Sequence, residues 1–206
     1  TIPENLLGGG KLGGLLAMRS SSLDTAQNQL GLIAVGMSTT FNAQHLLGQD
    51  LNGNPGTNFF TPPTVGVQRF SDASTASPQV DFADVSKLSG DDYKLTFTNT
   101  TGGYSLTRIS DGASVTAANI GLSITPAATS TVGDSFMILP TRYAAANIGV
   151  SISDTRMVAA AAPIASAATS GNLGTASISA PVVPKLTEPA SFGTAAAPLK
   201  LTYSGG

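Results

Sequence analysis

Cysteine and tryptophan are absent from this 206-residue chain, and histidine occurs once, at position 45. Without cysteine the chain cannot form a disulfide, a thiolate nucleophile or a zinc site with cysteine ligands. Any catalytic triad or histidine-based metal site would have to use His45. A chain of this length can bury a core without disulfides or metals, so these absences do not limit folding.

Charge and long apolar runs are also scarce. Charged residues make up 11% of the chain and the net charge is −2, whereas proteins that neutralise phosphates carry clustered lysine and arginine. We therefore expect no nucleic-acid partner. The apolar runs near residues 33–37 and 157–168 are interrupted by Gly36 and Pro163 and are shorter than the roughly 18 residues of a membrane span. We expect no membrane partner, and we interpret the chain as an excised piece of a longer protein.

Apolar residues after Asp24 recur every three or four positions, which predicts an amphipathic helix up to about Leu47. The stripe of this helix is formed by Leu30, Ile33, Met37 and Phe41, with Ala34 beside them. Isolated helices are marginal in water, so we expect the stripe to be packed against something, which could lie outside this chain.

The ends of the predicted helix carry their own signals. Asp24 and Gln27 have the spacing of a capping box, and His45 with Gly48 predicts the C-terminal end. Leucines at 12, 15 and 16 predict a shorter helix before it. Serines compete for backbone hydrogen bonds, so the run 20–22 predicts a break and hence a helical hairpin or a bent stem.

Beyond Asp50 the pattern changes to short alternating runs between turn residues, which is typical of antiparallel strands. Strands are predicted at 93–99, 104–110, 113–116, 121–125, 135–140, 149–153, 176–183 and 198–203. The predicted fold class is α+β and mainly β, with a helical stem followed by an antiparallel β sandwich or small barrel. We expect a helical stem at 1–50, a β-rich domain at 51–162 and further strands at 163–206.

Two short motifs suggest chemistry only weakly. Gly8, Gly10 and Gly13 have the spacing of a dinucleotide loop but follow no predicted strand. Asp50, Asn52 and Asn54 have calcium-loop spacing, yet Pro55 and Thr61 stand where a glycine and a glutamate are required. Asn and Gly favour turns, and we interpret this segment as a turn. We expect no cofactor and no metal.

A catalytic site also finds little support. His45 lies at a helix end, where a polar cap or a partner contact is the commoner role. Two carboxylates for glycoside hydrolysis could come from Asp81, Asp84, Asp91 or Asp92, but no motif surrounds them. We expect no catalytic residues and a non-enzymatic protein.

Three stretches resemble the flagellar hook-associated protein 1 family, the first junction protein between hook and filament. They are Gly13-Gly14-Leu15-Leu16 with Arg19, Leu23-Asp24, Asn28, Phe41-Asn42-Ala43-Gln44-His45, Gly48, Asp50-Leu51-Asn52-Gly53 and Phe59-Phe60; Tyr104–Arg108 with Asp111-Gly112; and Gly133-Asp134-Ser135-Phe136 with Ile138 and Pro140-Thr141-Arg142. The resemblance covers roughly the first three quarters of the chain.

The resemblance implies a structural adaptor of the bacterial flagellum, outside the cell, exported by the type III apparatus. Its implied partners are hook protein, the second junction protein and further copies of itself. Helices from both ends of the intact protein would pair, and those ends would cover the stripe of Leu30, Ile33, Met37 and Phe41. The isolated chain should then be monomeric.

A second hypothesis from the residues is an extracellular adhesin or glycan-binding β module. The hydroxyl-rich strands and the aromatic residues Tyr93, Phe97 and Tyr104 motivate it. Glycan sites need exposed aromatic side chains, and aromatic residues make up only 6% of this chain.

Overall fold

A computed structural model of the chain describes residues 9–70, 77–127, 131–164, 166–168, 170–171, 174–175 and 177–179. In chain order its helices and strands are α1 (Gly10–Met18), a π-helical turn (Arg19–Leu23), α2 (Asp24–Leu46), β1 (Gly66–Arg69), β2 (Gln79–Phe82), β3 (Tyr93–Phe97), β4 (Tyr104–Arg108), β5 (Ser114–Val115), β6 (Leu122–Thr125), β7 (Ser135–Leu139) and α3 (Ala144–Asn147). Short 3₁₀ turns lie at Val85–Lys87, Ala117–Ile120 and Thr155–Met157. None of the helices in this part of the chain is long and apolar enough to cross a membrane.

The α+β, mainly β fold class is confirmed, and so is the long helix, which ends at Leu46. The predicted break before it is wrong, because the chain stays helical from Gly10 to Leu46. The hydroxyls of Ser20 and Ser21 donate to the Ala17 carbonyl at 3.1 and 2.7 Å. Their hydrogen bonds are satisfied inside the helix, in a π-helical turn, instead of ending it.

The predicted capping box at Asp24 is also wrong. Asp24 follows directly on the π-helical turn and its own N–H donates to the Arg19 carbonyl, so no helix begins there. Its carboxylate instead lies near two arginines, Arg19 and Arg142. At the other end, His45 does lie in the last turn. Gly48 is required by close packing, since a Cβ there would lie 2.1 Å from the Ala159 carbonyl oxygen.

Within the described part of the chain, seven strands form two antiparallel sheets. The larger has the order β1-β7-β3-β4-β5 and the smaller pairs β2 with β6. The predicted meander of β3, β4 and β5 is confirmed by the register Tyr93↔Arg108 and Leu106↔Val115, and β6 and β7 lie where strands were predicted.

The remaining strand predictions were not confirmed. The strand predicted at 149–153 is wrong, because only the single bridge Phe60↔Val150 forms there. Strands β1 and β2 were not predicted. Of the segment 176–183 only residues 177–179 are described, and they are not in a strand, while 198–203 lies outside the described residues.

Alternation along the strands places one apolar core between the two sheets. In β3 the buried positions are Tyr93, Leu95 and Phe97, as the two-residue period of a strand requires. The core also takes residues from β2, β4, β6 and β7 and from the 3₁₀ turn before β6: Val80, Leu106, Leu122, Phe136, Ile138 and Ile120. Because side chains from both sheets share this core, the sheets pack face to face, as in a sandwich.

The chain divides into two compact units. The first comprises Thr1–Asn42 and Asn58–Ser151, and the second comprises Ala43–Thr57 and Ile152–Gly206. The first unit contains both sheets and most of α2. In the second, Gln49 forms bridges with Pro55 and with Ala161.

Candidate assembly surface

Helix α2 has two faces with opposite chemistry, and the less apolar face is the one buried in the first unit. The buried positions are spaced three and four residues apart and are mostly small or polar: Asn28, Gly31, Ala34, Val35, Ser38 and Asn42. A helix packed in a core normally buries its apolar stripe. Here the stripe faces away from the sheets.

Close backbone approach and paired hydrogen bonds hold the buried face. Gly31 lies against the Thr141 carbonyl, and Ala34 and Val35 pack on Ala144 of α3. Further along, the Asn42 amide donates to the Phe60 carbonyl at 2.9 Å and accepts from the Phe60 N–H at 2.8 Å. This face therefore needs small side chains and an amide at these positions.

The opposite face forms what we call the stripe: Leu30, Ile33, Met37 and Phe41. Their exposed fractions are 60%, 67%, 49% and 44%. Sequence reasoning placed these residues on one helical face. Within this chain Phe41 contacts Phe59 and Phe60, and the packing of the stripe as a whole stays a prediction. Four large apolar side chains in a row on one helix are unusual on a surface that stays in water.

Exposed apolar residues continue towards the N-terminus. Leu12, Leu15, Met18 and Leu23 are exposed by 58%, 60%, 66% and 55%. Helix α1 contributes no buried residue of its own, and it continues through the π-helical turn into α2.

A cluster of phenylalanines ends the stripe. The ring of Phe41 lies 4.8 Å from that of Phe59 and 5.4 Å from that of Phe60, and the latter two are 4.9 Å apart. Tilted and edge-on contacts at these distances are favourable for aromatic rings. The cluster thus fixes the segment after residue 57 to the helix on the apolar side.

A buried ionic cluster joins α2 to the large sheet within the first unit. The Arg142 guanidinium lies 3.2 Å from the Asp24 carboxylate and also contacts Asp92. The Asn28 amide donates to Asp92 at 3.2 Å. Side chains of Arg142 and Asp92 are only 12% and 9% exposed, so little solvent screens them.

Burial raises the pKa of Asp92, while the Arg142 guanidinium and the Asn28 amide act in the opposite direction. A buried carboxylate loses hydration that its partners only partly replace. The cluster is consequently a structural contact whose strength depends on the charge of Asp92. Sequence reasoning missed it, because Asp24, Asp92 and Arg142 are distant in the chain.

The residues of the two weak sequence motifs have structural roles. The Asp50 carboxylate accepts from the backbone N–H groups of Asn52 and Asn54, both at 2.8 Å, as in an Asx turn. Gly10 and Gly13 lie in α1 instead of in a phosphate loop. Across the residues that the structure describes, no group of three or more His, Asp or Glu side chains is placed to hold a metal.

The carboxylates considered for hydrolysis are not gathered in one site. Asp84 caps the turn at Val85–Lys87, Asp81 lies in β2, and Asp91 pairs with Arg108 at 3.3 Å. The glycan hypothesis is weakened as well. Tyr93 and Phe97 are each 2% exposed and belong to the core, so neither offers an aromatic face to a sugar.

The fold is an antiparallel β sandwich packed on a helix whose opposite, apolar face is exposed, and an exposed apolar face of this kind is typical of a protein that packs against other chains or segments. Comparisons with known proteins agree. Residues 1–60 match the family model for the helical domain of flagellar hook-associated protein FlgK, and residues 69–140 match that for a D2-like domain of flagellar hook-associated protein 1.

Individual proteins of the same family are also similar to this chain. The chain is 34% identical over 170 residues to flagellar hook-associated protein 1 of Salmonella typhimurium, and 35% identical to that of Escherichia coli, covering 78% of this chain and 30% of each relative. The solved flagellar hook junction protein FlgK from Burkholderia pseudomallei matches with a TM-score of 0.65 and 34% identity, over 77% of this chain and 30% of that one.

The chain belongs to the flagellar hook-associated protein 1 family. It spans about 30% of the length of the curated relatives that it matches. Members of this family are structural proteins of the flagellum.

Proposed function

We propose that this chain is part of a structural, non-catalytic adaptor at the hook–filament junction of a bacterial flagellum, outside the cell. The proposed neighbours are hook protein, the second junction protein and further copies of the same protein. Its role is to present packing surfaces to these neighbours. We propose the division into a helical stem at 1–50, a β-rich domain at 51–162 and a further β region at 163–206.

The exposed stripe of α2 carries this proposal. Burying a Leu, Ile, Met or Phe side chain stabilises a structure by about 1.5–3 kcal/mol relative to leaving it in water. A helix that keeps small and polar side chains for its own sheets and turns Leu30, Ile33 and Met37 outward is suited to pack on a second helix. We propose that helices from the remainder of the intact protein cover the stripe.

The isolated chain should be monomeric in dilute solution. The helices that we propose to cover the stripe belong to the remainder of the intact protein, so the isolated chain lacks its packing partner. Light scattering that detects a stable ring or dimer would contradict this expectation.

The test replaces apolar stripe residues in the full-length protein, in cells that lack the native copy. Leu30→Gln with Ile33→Gln keeps the helix but makes the stripe polar, because Gln is a good helix former. Export should continue, while motility falls and filaments detach into the medium. The matched control is Thr25→Gln, an exposed polar position of the same helix that lies off the stripe, and it should leave motility unchanged.

Two outcomes would contradict this proposal. Normal swimming by the double variant would overturn the packing role of the stripe. Attached, functional filaments in cells that lack the protein altogether would overturn the junction role itself.

A further inference from the structure

The turn after α2 contains the one Asn-Gly dipeptide of the chain, Asn52-Gly53. Both residues are exposed to solvent, and the proposed function gives neither of them a chemical role. A Cβ at Gly53 would have a single neighbour within 4 Å, the Gln49 side-chain nitrogen at 3.9 Å. Asparagine is a labile residue, and it loses its side-chain amide most readily before glycine, because glycine has no side chain to obstruct its own backbone nitrogen.

Loss of the Asn52 amide is an intramolecular reaction whose only other reactant is water. The Gly53 nitrogen gives up its proton and attacks Cγ of Asn52. The new bond from nitrogen to Cγ replaces the bond from Cγ to Nδ2, and Nδ2 leaves as ammonia with the proton. Water then opens the cyclic imide at either carbonyl, which gives aspartate or isoaspartate. The ring closes only if the two reacting atoms approach to about 3–3.5 Å in the right orientation.

The Asp50 side chain holds the backbone on both sides of this peptide. Its Oδ1 accepts from the Asn52 N–H and from the Asn54 N–H, both at 2.8 Å. The Asn52 Nδ2, which would have to leave, donates to the Asp50 Oδ2 at 3.4 Å. The Gly53 N–H, whose nitrogen would have to attack, donates to the Asp50 carbonyl at 3.1 Å. In this arrangement the Gly53 nitrogen keeps its proton and directs it at Asp50.

The ends of the turn are held as well. The Asp50 N–H donates to the Asn54 carbonyl at 2.9 Å, and the Gln49 side chain donates to the Gly53 carbonyl at 2.8 Å. Gln49 also forms a bridge with Pro55. Rotating the Asn52-Gly53 peptide into the attacking orientation would therefore break bonds to Asp50 and to Gln49 together.

We propose that Asn52 is a latent deamidation site and that the Asp50 side chain prevents the reaction by holding the N–H groups of Asn52 and Asn54. The reaction becomes possible when this turn opens. It places a second carboxylate beside that of Asp50, and the isoaspartate product also adds one carbon to the backbone, so the turn cannot form again with the same bonds. The inference rests on the geometry of the turn and does not depend on the proposed function.

The rate of amide loss in the folded chain tests the proposal. The chain is kept at pH 8 and 37 °C, samples are digested, and the peptide that contains Asn52 is followed by mass spectrometry with chromatographic separation of aspartate and isoaspartate. The same chain unfolded in urea gives the reference rate. The folded chain should react roughly tenfold more slowly, about the effect of one retained hydrogen bond. Equal rates in the folded and unfolded chain would overturn the proposal.

Two substitutions of Asp50 separate its contacts from the rest of the turn. Asp50→Ala removes both acceptor oxygens and should raise the rate in the folded chain roughly tenfold. Asp50→Asn keeps one acceptor oxygen for the two N–H groups and should react within about twofold of the wild type. An unchanged rate in Asp50→Ala, or a rate in Asp50→Asn as high as in Asp50→Ala, would contradict the role of the Asp50 acceptor.

Asp84→Ala is the matched control in the first unit. The Asp84 carboxylate also accepts from the N–H two positions further on, that of Ser86, at 3.1 Å. Its removal costs the chain a contact of the same kind at a different turn, so the rate at Asn52 should not change. A rise equal to that in Asp50→Ala would show that a general loss of stability is responsible and would overturn the proposal.

Discussion

Gly31 of α2 lies directly against the backbone of Thr141: a Cβ at position 31 would come within 1.7 Å of the Thr141 carbonyl oxygen and 2.6 Å of its carbon. Thr141 is fully buried and follows the end of β7. The helix therefore approaches the segment after the sheet backbone to backbone. That approach is possible only where the helix has no side chain.

Gly31→Ala should destabilise the chain by about 3 kcal/mol, because the methyl group meets backbone that cannot move without shifting α2. Gly36→Ala is the matched control on the same helix. A Cβ there would meet nothing within 4 Å, and alanine is the better helix former, so it should stabilise by about 0.5–1 kcal/mol. Urea unfolding followed by circular dichroism measures both. A Gly31→Ala variant as stable as the wild type would contradict the packing.

The two faces of α2 differ in how well they could be predicted from the sequence. The three- and four-residue spacing of Leu30, Ile33 and Met37 gave the helix and its apolar face. The same spacing in Asn28, Gly31, Val35, Ser38 and Asn42 marks the face that packs on the sheets. That second pattern was not recognised in the sequence, because small and polar residues on one side of a helix normally indicate its solvent-exposed face.

Among the strands, locally alternating sequences with clear turns were predictable, as for β3 and β4. Strand β1 pairs with β7, as Val67↔Ile138 shows, across a long stretch of chain that no local pattern encodes. The serine run before α2 was misjudged for a related reason: whether a serine hydroxyl ends a helix or bonds within it depends on the next turn. Local sequence patterns therefore did not predict the contacts between residues that are distant in the chain.

Arg142→Met tests the ionic cluster. Without the guanidinium, the Asp24 and Asp92 carboxylates share a poorly hydrated site without their common cation, and the loss should be about 3–5 kcal/mol. The control is Arg19→Met, which removes a guanidinium 3.7 Å from Asp24 whose side chain is 57% exposed. An exposed pair of this kind contributes about 0.5 kcal/mol or less. Equal losses in the two variants would show that Arg142 does not hold the helix to the sheet.

Asp92 should give the chain a pH dependence of defined sign. Because burial raises the pKa of Asp92 in the folded chain, the folded state binds this proton more readily than the unfolded state does. Its contribution to the free energy of unfolding is thus fully present below the ordinary aspartate range and is lost as the pH rises through the raised pKa. Relative to Asp92→Asn, the wild type should lose stability as the pH rises above the ordinary aspartate pKa of about 4.

Asp84 supplies a control of opposite sign for this measurement. The Ser86 hydroxyl and N–H lower the pKa of Asp84, so its contribution is present above the ordinary aspartate range and is lost as the pH falls. Relative to Asp84→Asn, the wild type should therefore gain stability with rising pH. Urea unfolding of the three proteins over this range measures both slopes, and slopes of the same sign would contradict the assignment for Asp92.

Ile33 and Val35 lie two positions apart on α2 and separate its two faces most sharply, with exposed fractions of 67% and 0%. Val35→Ala should destabilise the isolated chain by about 2 kcal/mol, since it leaves a cavity against Ala144. Ile33→Ala removes more apolar surface but should change its stability by less than about 0.5 kcal/mol. In the full-length protein the order should change, because Ile33→Ala then removes a contact with the covering helices. If Ile33→Ala costs the isolated chain as much as Val35→Ala does, the stripe already packs within this chain, and the proposed surface does not exist.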